Sequence, residues 1–199
     1  MADMRSIVFD TADNSSKNTN GITDNLILLG IPVLYAFGSL THFIYGWSGK
    51  ALIAGVFTPV NESVWEHLKM TFWPMLIWWI VSFFASHSRK IIQSDRWLAS
   101  CTAAILICPV IITAFYYTYT GALGIDSLIL DILSMILGIV AAQGAAIYIM
   151  KHARVTAVHA YISLTILILL AAAFTVFTFI TPQIPLFKDP STGLFGLGN

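Results

Sequence analysis

Five apolar stretches, each long enough to cross a bilayer, restrict this chain more than any other feature. An α-helix rises ~1.5 Å per residue, so about 20 residues cover a hydrocarbon core of ~30 Å, and there every backbone N–H and C=O needs an internal partner. The fold class predicted is therefore an all-α membrane protein with about five transmembrane helices. The 199 residues are 57% hydrophobic and 10% charged, with zero formal net charge. That balance argues against the basic field of a nucleic-acid-binding protein, so no nucleic-acid partner is expected. The lipid bilayer is the expected partner, and a homo-oligomer is left open.

The first span is read as about Leu26–Trp47. Tyr35, Gly38, Ser39, His42 and Gly46 recur at spacings of three and four, a small and polar stripe that faces the bundle, and Tyr45 and Trp47 mark the interface. Ser48–Val60 contains the run ALIAGVF, too short to span and bounded by Gly49 and Pro59. A re-entrant or interfacial segment is predicted there. The second span starts within Thr58–Val64 and ends near Ala85, with Thr58, Asn61 or the box Ser63–Glu66 competing as its cap. The third is about Trp97–Tyr119, the fourth Asp126–Met150 and the fifth Ala157–Ile180. Cys101 and Cys108 would sit roughly 10 Å apart on one helix face, which excludes a mutual disulfide.

Three regions follow. Residues 1–24, rich in Asp, Asn and Ser, read as a polar, mobile tail without the apolar core of a signal peptide. Residues 25–180 form the helical bundle. Residues 181–199 keep Ile184, Leu186, Phe187, Leu194 and Phe195 around a turn at Asp189–Gly193. That segment is too apolar to be a solvated tail and is expected to fold over the outer end of the bundle.

Five crossings put the termini on opposite sides. Arg5, Lys17, Arg89, Lys90, Arg96, Lys151 and Arg154 then share one side, which the positive-inside tendency makes cytoplasmic. The expectation is a multi-pass protein of the cell membrane, N-terminus inside and C-terminus outside. His87, His152 and His159 fall at the inner end. His42, Glu62–Lys69, Tyr116–Tyr119, Asp126, Asp131 and the C-terminal segment share the outer end.

The chemistry gathers in Thr58–Pro74, TPVNESVWEHLKMTFWP, which places Glu62, Glu66, His67 and Lys69 within eight positions. Ionisable groups opening a membrane helix are costly and need partners. At about 100° per residue, Glu62 and Glu66 share a helix face with Lys69 between them, while His67 points elsewhere. One lysine cannot balance two carboxylates, so they share a proton or a cation holds them together. His42 and Asp131 lie within reach on neighbouring spans, Asp131 ~7 Å below the start of its helix. Two histidines with carboxylate suit a borderline metal such as zinc, and carboxylates alone suit Ca²⁺ or Mg²⁺.

His42, Glu62, Glu66, His67 and Asp131 are thus candidate ligands of a divalent cation. Glu62, Glu66 and Asp131 are the candidate acid/base groups, and Asn61, Ser39, Lys69, Tyr116, Tyr119, Asp126 and Asp189 the candidate pocket. No HExxH, phosphate loop, nucleophile elbow or CxxC is present. Plainer readings compete: Glu66 completing a capping box, Asp126 as N-cap, His67 as an interfacial hydrogen-bonding residue, His42 as a satisfied bundle histidine. Asp131 fits a plain reading least, since a carboxylate in lipid is seldom idle.

The phrase FTPVNESVWEHLK with Phe72-Trp73-Pro74, the tail Pro185-Leu186-Phe187-Lys188-Asp189-Pro190 with Thr192-Gly193, and His42 before Tyr45-Gly46-Trp47 resemble a family of small prokaryotic multi-span membrane proteins known as a domain of unknown function. The resemblance runs from about residue 26 onward. It implies that Asn61, Glu62, Glu66, His67 and Asp189 are a related set, and it brings no activity. Leu194-Phe195 departs from the aromatic-Gly ending of that family.

Three functions fit these residues. One is a cation site, serving a hydrolase or transferase that acts on a lipid-borne or small substrate. The second is an interaction or assembly protein with the outer cluster as its docking face. The third is a carrier for an ion or small solute, which needs a polar path that only Gln143 and scattered threonines offer.

Overall fold

The computed structural model describes residues 4–87 and 93–197. The helices are α1 (Met4–Trp47), α2 (Leu52–Phe57), α3 (Val64–His87), α4 (Ser94–Tyr117), α5 (Leu128–His152) and α6 (Ala157–Phe179). A π-helical turn, Thr118–Ala122, prolongs α4, and a 3-10 turn, Pro185–Phe187, opens the C-terminal segment. No strand occurs among the described residues; an isolated bridge pairs Lys188 with Phe195. Five helical stretches are long and apolar enough to cross a membrane: Thr23–Trp47, Val64–Ser86, Ser94–Ala122, Leu128–His152 and Ala157–Phe179. The protein is an all-helical, multi-pass membrane protein, with the short α2 following the first span.

Helix α1 extends back through the polar stretch read as a tail, so its apolar part is only its second half. Arg89 and Lys90 of the α3–α4 connection lie outside the described residues. Pro32, Pro74 and Pro109 all sit inside helices that continue past them. The core runs along α3, α4 and α5, with Phe72, Met75, Trp79, Ile105, Cys108, Ile139 and Ala142 buried. Both cysteines are free and buried.

Small residues set the helix spacing. A Cβ on Gly38 would lie 2.4 Å from the Met70 carbonyl oxygen, and one on Gly138 would lie 3.1 Å from that of Cys108. Glycine there lets α1 meet α3, and α5 meet α4, almost backbone to backbone. The first of these contacts brings the end of α1 beside the start of α3. At the opposite end, Lys151 pairs with Asp24 at 2.6 Å and the Arg96 guanidinium donates to the Met150 carbonyl at 3.2 Å.

Candidate functional site

The start of α3 decides how the ionisable cluster is arranged. Ser63 caps the helix: its hydroxyl accepts the Glu66 N–H at 3.3 Å, and its own N–H donates to Asn61 Oδ1 at 2.9 Å. Of the three starts open in the sequence this is the Ser63 one, with half of its box unmade. The Glu66 carboxylate turns instead to the Val60 N–H at 3.0 Å and to Lys69. Since α3 begins at Val64, Glu62 stands outside the helix and does not share a face with Glu66. The cluster divides into a buried pair and an open triad.

The pair is Glu66 with Lys69, whose side chains are 3% and 0% exposed. The Lys69 ammonium donates to Glu66 Oε2 at 2.6 Å, to the Gly55 carbonyl at 2.8 Å and to the Thr178 hydroxyl at 2.6 Å. All three of its donors are spent. Trp73 adds a bond from its indole N–H to the Val56 carbonyl at 3.0 Å. The carbonyl end of α2 is thereby fastened to α3, and α3 to α6.

The triad is His42, Glu62 and His67. One potential ligand atom from each lies within 4.8 Å of the others. His67 Nε2 is 3.3 Å from Glu62 Oε2, and His42 Nε2 is 4.0 Å from Glu62 Oε1. The two imidazoles stack at 5.3 Å with planes 27° apart. Glu62 is 52% exposed and the histidines about a third, so water reaches the centre. His67 Nδ1 lies 3.0 Å from the Ser63 carbonyl, while His42 Nδ1 is buried with no hydrogen-bond partner among the described residues. The close approach of the His67 ring, opposed by partial burial, holds the Glu62 carboxyl below its ordinary range.

The other candidate ligands lie apart. Because α5 begins at Leu128, Asp131 falls in its first turn rather than deep in the span, where a carboxylate is favoured by the helix dipole. It accepts a short hydrogen bond from the Tyr119 hydroxyl, which the π-helical turn swings inward, and remains within electrostatic reach of His67. Tyr116 packs edge-on against Tyr119 at 5.6 Å. Asp126 is exposed and precedes the N-cap position of α5, Ser127, so it does not cap that helix. Ser39 is half-buried one turn below His42. The five-ligand set expected from the sequence thus reduces to three converging groups, with Glu66 engaged by Lys69 and Asp131 by Tyr119.

Asn61 and Asp189 meet across the chain. Asn61 Nδ2 donates to the Gly196 carbonyl at 2.7 Å, and the Glu62 N–H donates to Asp189 Oδ2 at 3.4 Å. Burial works against the Asp189 charge, yet bonds from Ser191, Glu62 and Thr192 hold its carboxyl below the ordinary value. Sequence reasoning missed the backbone partners: the Gly55, Ser63 and Gly196 carbonyls and the Val60 N–H. A backbone group leaves no mark in residue type, so no signal could have found them; Thr178, one residue before the end of α6, is a partner with a side chain to read.

The model of a family of unknown function (DUF6512) matches residues 15–197 of the chain. No curated protein and no solved structure matches it.

Proposed function

The chain belongs to this family of unknown function (DUF6512), and from its own side chains we propose that it binds a divalent transition-metal ion between His42, Glu62 and His67. The observation that carries this reading is the approach of His67 Nε2 to Glu62 Oε2 at 3.3 Å. A carbonyl can only accept, so His67 Nδ1 must donate its proton to Ser63, and a neutral ring then turns a lone pair from Nε2 toward a carboxylate. Two lone pairs do not face each other unless a cation stands between them: a second proton, or a metal. The Ser63 carbonyl fixes the tautomer as an outer partner does for a metal-bound histidine.

The dimensions suit an ion. Ligands about 2.1 Å from a tetrahedral metal stand about 3.4 Å from one another; here His67 meets one Glu62 oxygen at 3.3 Å and His42 the other at 4.0 Å, with one ligand atom from each residue within 4.8 Å of the others, so a bound ion would draw the set together. Three protein ligands leave a fourth position for water, the arrangement that generates a nucleophile near neutral pH. Asp131, near but unbound to the triad, is the candidate acid/base group. His42 is in ring contact with exposed Phe43, and Phe43 with exposed Trp47. That apolar rim favours a lipid-borne substrate over a wholly soluble one.

The test is titration of the purified protein in lipid nanodiscs with Zn²⁺, and with Co²⁺ as its coloured substitute. One ion per chain is expected. Bound imidazoles must be deprotonated, so affinity should fall by about tenfold or more per pH unit below pH ~6. Glu62, its carboxyl held low by His67, stays charged through that range, so the loss belongs to the histidines. No binding at micromolar metal, or an affinity flat with pH, would remove the metal.

The triad belongs on the outer face of the cell membrane, since Arg96, Lys151 and Arg154 cluster at the other end of the bundle. Cysteine introduced at Lys50 should react with an impermeant reagent from outside, and cysteine at Lys151 only after permeabilisation. The reverse pattern would invert the orientation.

A further inference from the structure

We infer that the C-terminal segment Thr181–Leu197 is a working part of this cation site, with Asp189 the positioning residue that fixes Glu62 for metal binding. The inference rests on the cation reading above. Glu62 is the one member of the triad that no helix holds, and its neighbour Asn61 is equally outside α3. A ligand on a free loop would lose conformational entropy on binding, so affinity depends on what immobilises it.

Two bonds from the C-terminal segment do so. Asp189 Oδ2 receives the Glu62 N–H and the Gly196 carbonyl receives Asn61 Nδ2. The segment that supplies them is itself rigidly built. Asp189 Oδ1 accepts the Ser191 N–H at 2.8 Å, the Ser191 hydroxyl at 2.6 Å and the Thr192 N–H at 3.2 Å. The Asp189 N–H donates to the Leu194 carbonyl at 2.9 Å, and the Asp189 carbonyl accepts from Gly193 at 2.8 Å. Phe187 anchors the unit to α3 and α6, its ring 4.7 Å from Trp65 and 5.6 Å from Phe177.

The two Asp189 oxygens therefore have separate tasks: Oδ1 organises the turn and Oδ2 holds the ligand loop. The same carboxylate adds negative charge beside Glu62, which a bound cation relieves. Outer groups that orient a ligand change metal affinity by about tenfold to a hundredfold when removed.

Asp189→Asn separates the tasks, because its amide oxygen can still serve the turn while its NH₂ cannot accept the Glu62 N–H. A second variant, Gly196→Ala, acts from the other anchor: its Cβ would lie 2.2 Å from Thr181 Oγ1, at a φ of +55° that glycine favours. Each variant is titrated with Co²⁺ in nanodiscs, following the visible absorption that reports ligand number and geometry. The expected result is a tenfold to hundredfold loss of affinity with an altered spectrum, at unchanged helix content. Wild-type binding with both variants unchanged in affinity and spectrum overturns the role of the segment, even if their melting temperatures fall. Absence of Co²⁺ binding in the wild type overturns the cation reading itself, and this inference with it.

Discussion

Lys69→Met is expected to destabilise the protein by about 3–5 kcal/mol, the cost of leaving one member of a buried ion pair without the other. Lys69 is fully buried and makes three hydrogen bonds, to Glu66, Gly55 and Thr178. Methionine keeps the volume and withdraws all three donors. Glu66 would keep the Val60 N–H but would have to take up a proton in an apolar setting. The double variant with Glu66→Gln should recover most of the loss, because the amide is neutral and can still accept from Val60. Unfolding midpoints in mild detergent measure this. A single variant within about 1 kcal/mol of wild type, or a double variant no better than the single, would show that the pair does not hold α2, α3 and α6 together.

His67→Ala is expected to weaken metal binding by about a hundredfold or more, and to do so more severely than His42→Ala. Of the two histidines proposed as ligands, His67 has its tautomer set by a fixed acceptor and makes the closer approach to Glu62. His42 stands 4.0 Å from the same carboxylate with Nδ1 unbonded among the described residues, so it must reorient to bind. Co²⁺ titration of the three proteins ranks them. Retention of affinity within about threefold in His67→Ala, far short of what losing one of three protein ligands removes, would mean that the imidazole–carboxylate contact is a proton-shared pair and no more.

The five spans were legible because hydrocarbon leaves the backbone so few options, and α6 matches its apolar run to within a residue. The ionisable residues that draw together near the start of α3 were legible, their arrangement was not. Helical periodicity set Glu62 beside Glu66, yet it applies only inside the helix, and Ser63 as cap leaves Glu62 two residues before it. That single boundary moved His67 from the margin to the centre. Counted from Asp126, the helix puts Asp131 deep; its start at Leu128 makes Asp131 a first-turn acid. Its Tyr119 partner depends on a π-helical turn, which no spacing of residue types foretells. The acceptors of Lys69 were hidden for a different reason: one is a backbone carbonyl on a six-residue helix and another a threonine 109 positions away.

The bond from Glu62 to Asp189 joins residues 127 positions apart. A ribosome will have synthesised all five spans before it reaches Asp189, and the Glu62 loop must wait through that interval without its clasp. Chains truncated between residues 181 and 188 and released from the ribosome should therefore carry all five spans into the bilayer yet leave the loop open, so that biogenesis has two separable milestones, entry into the bilayer and closure of the loop.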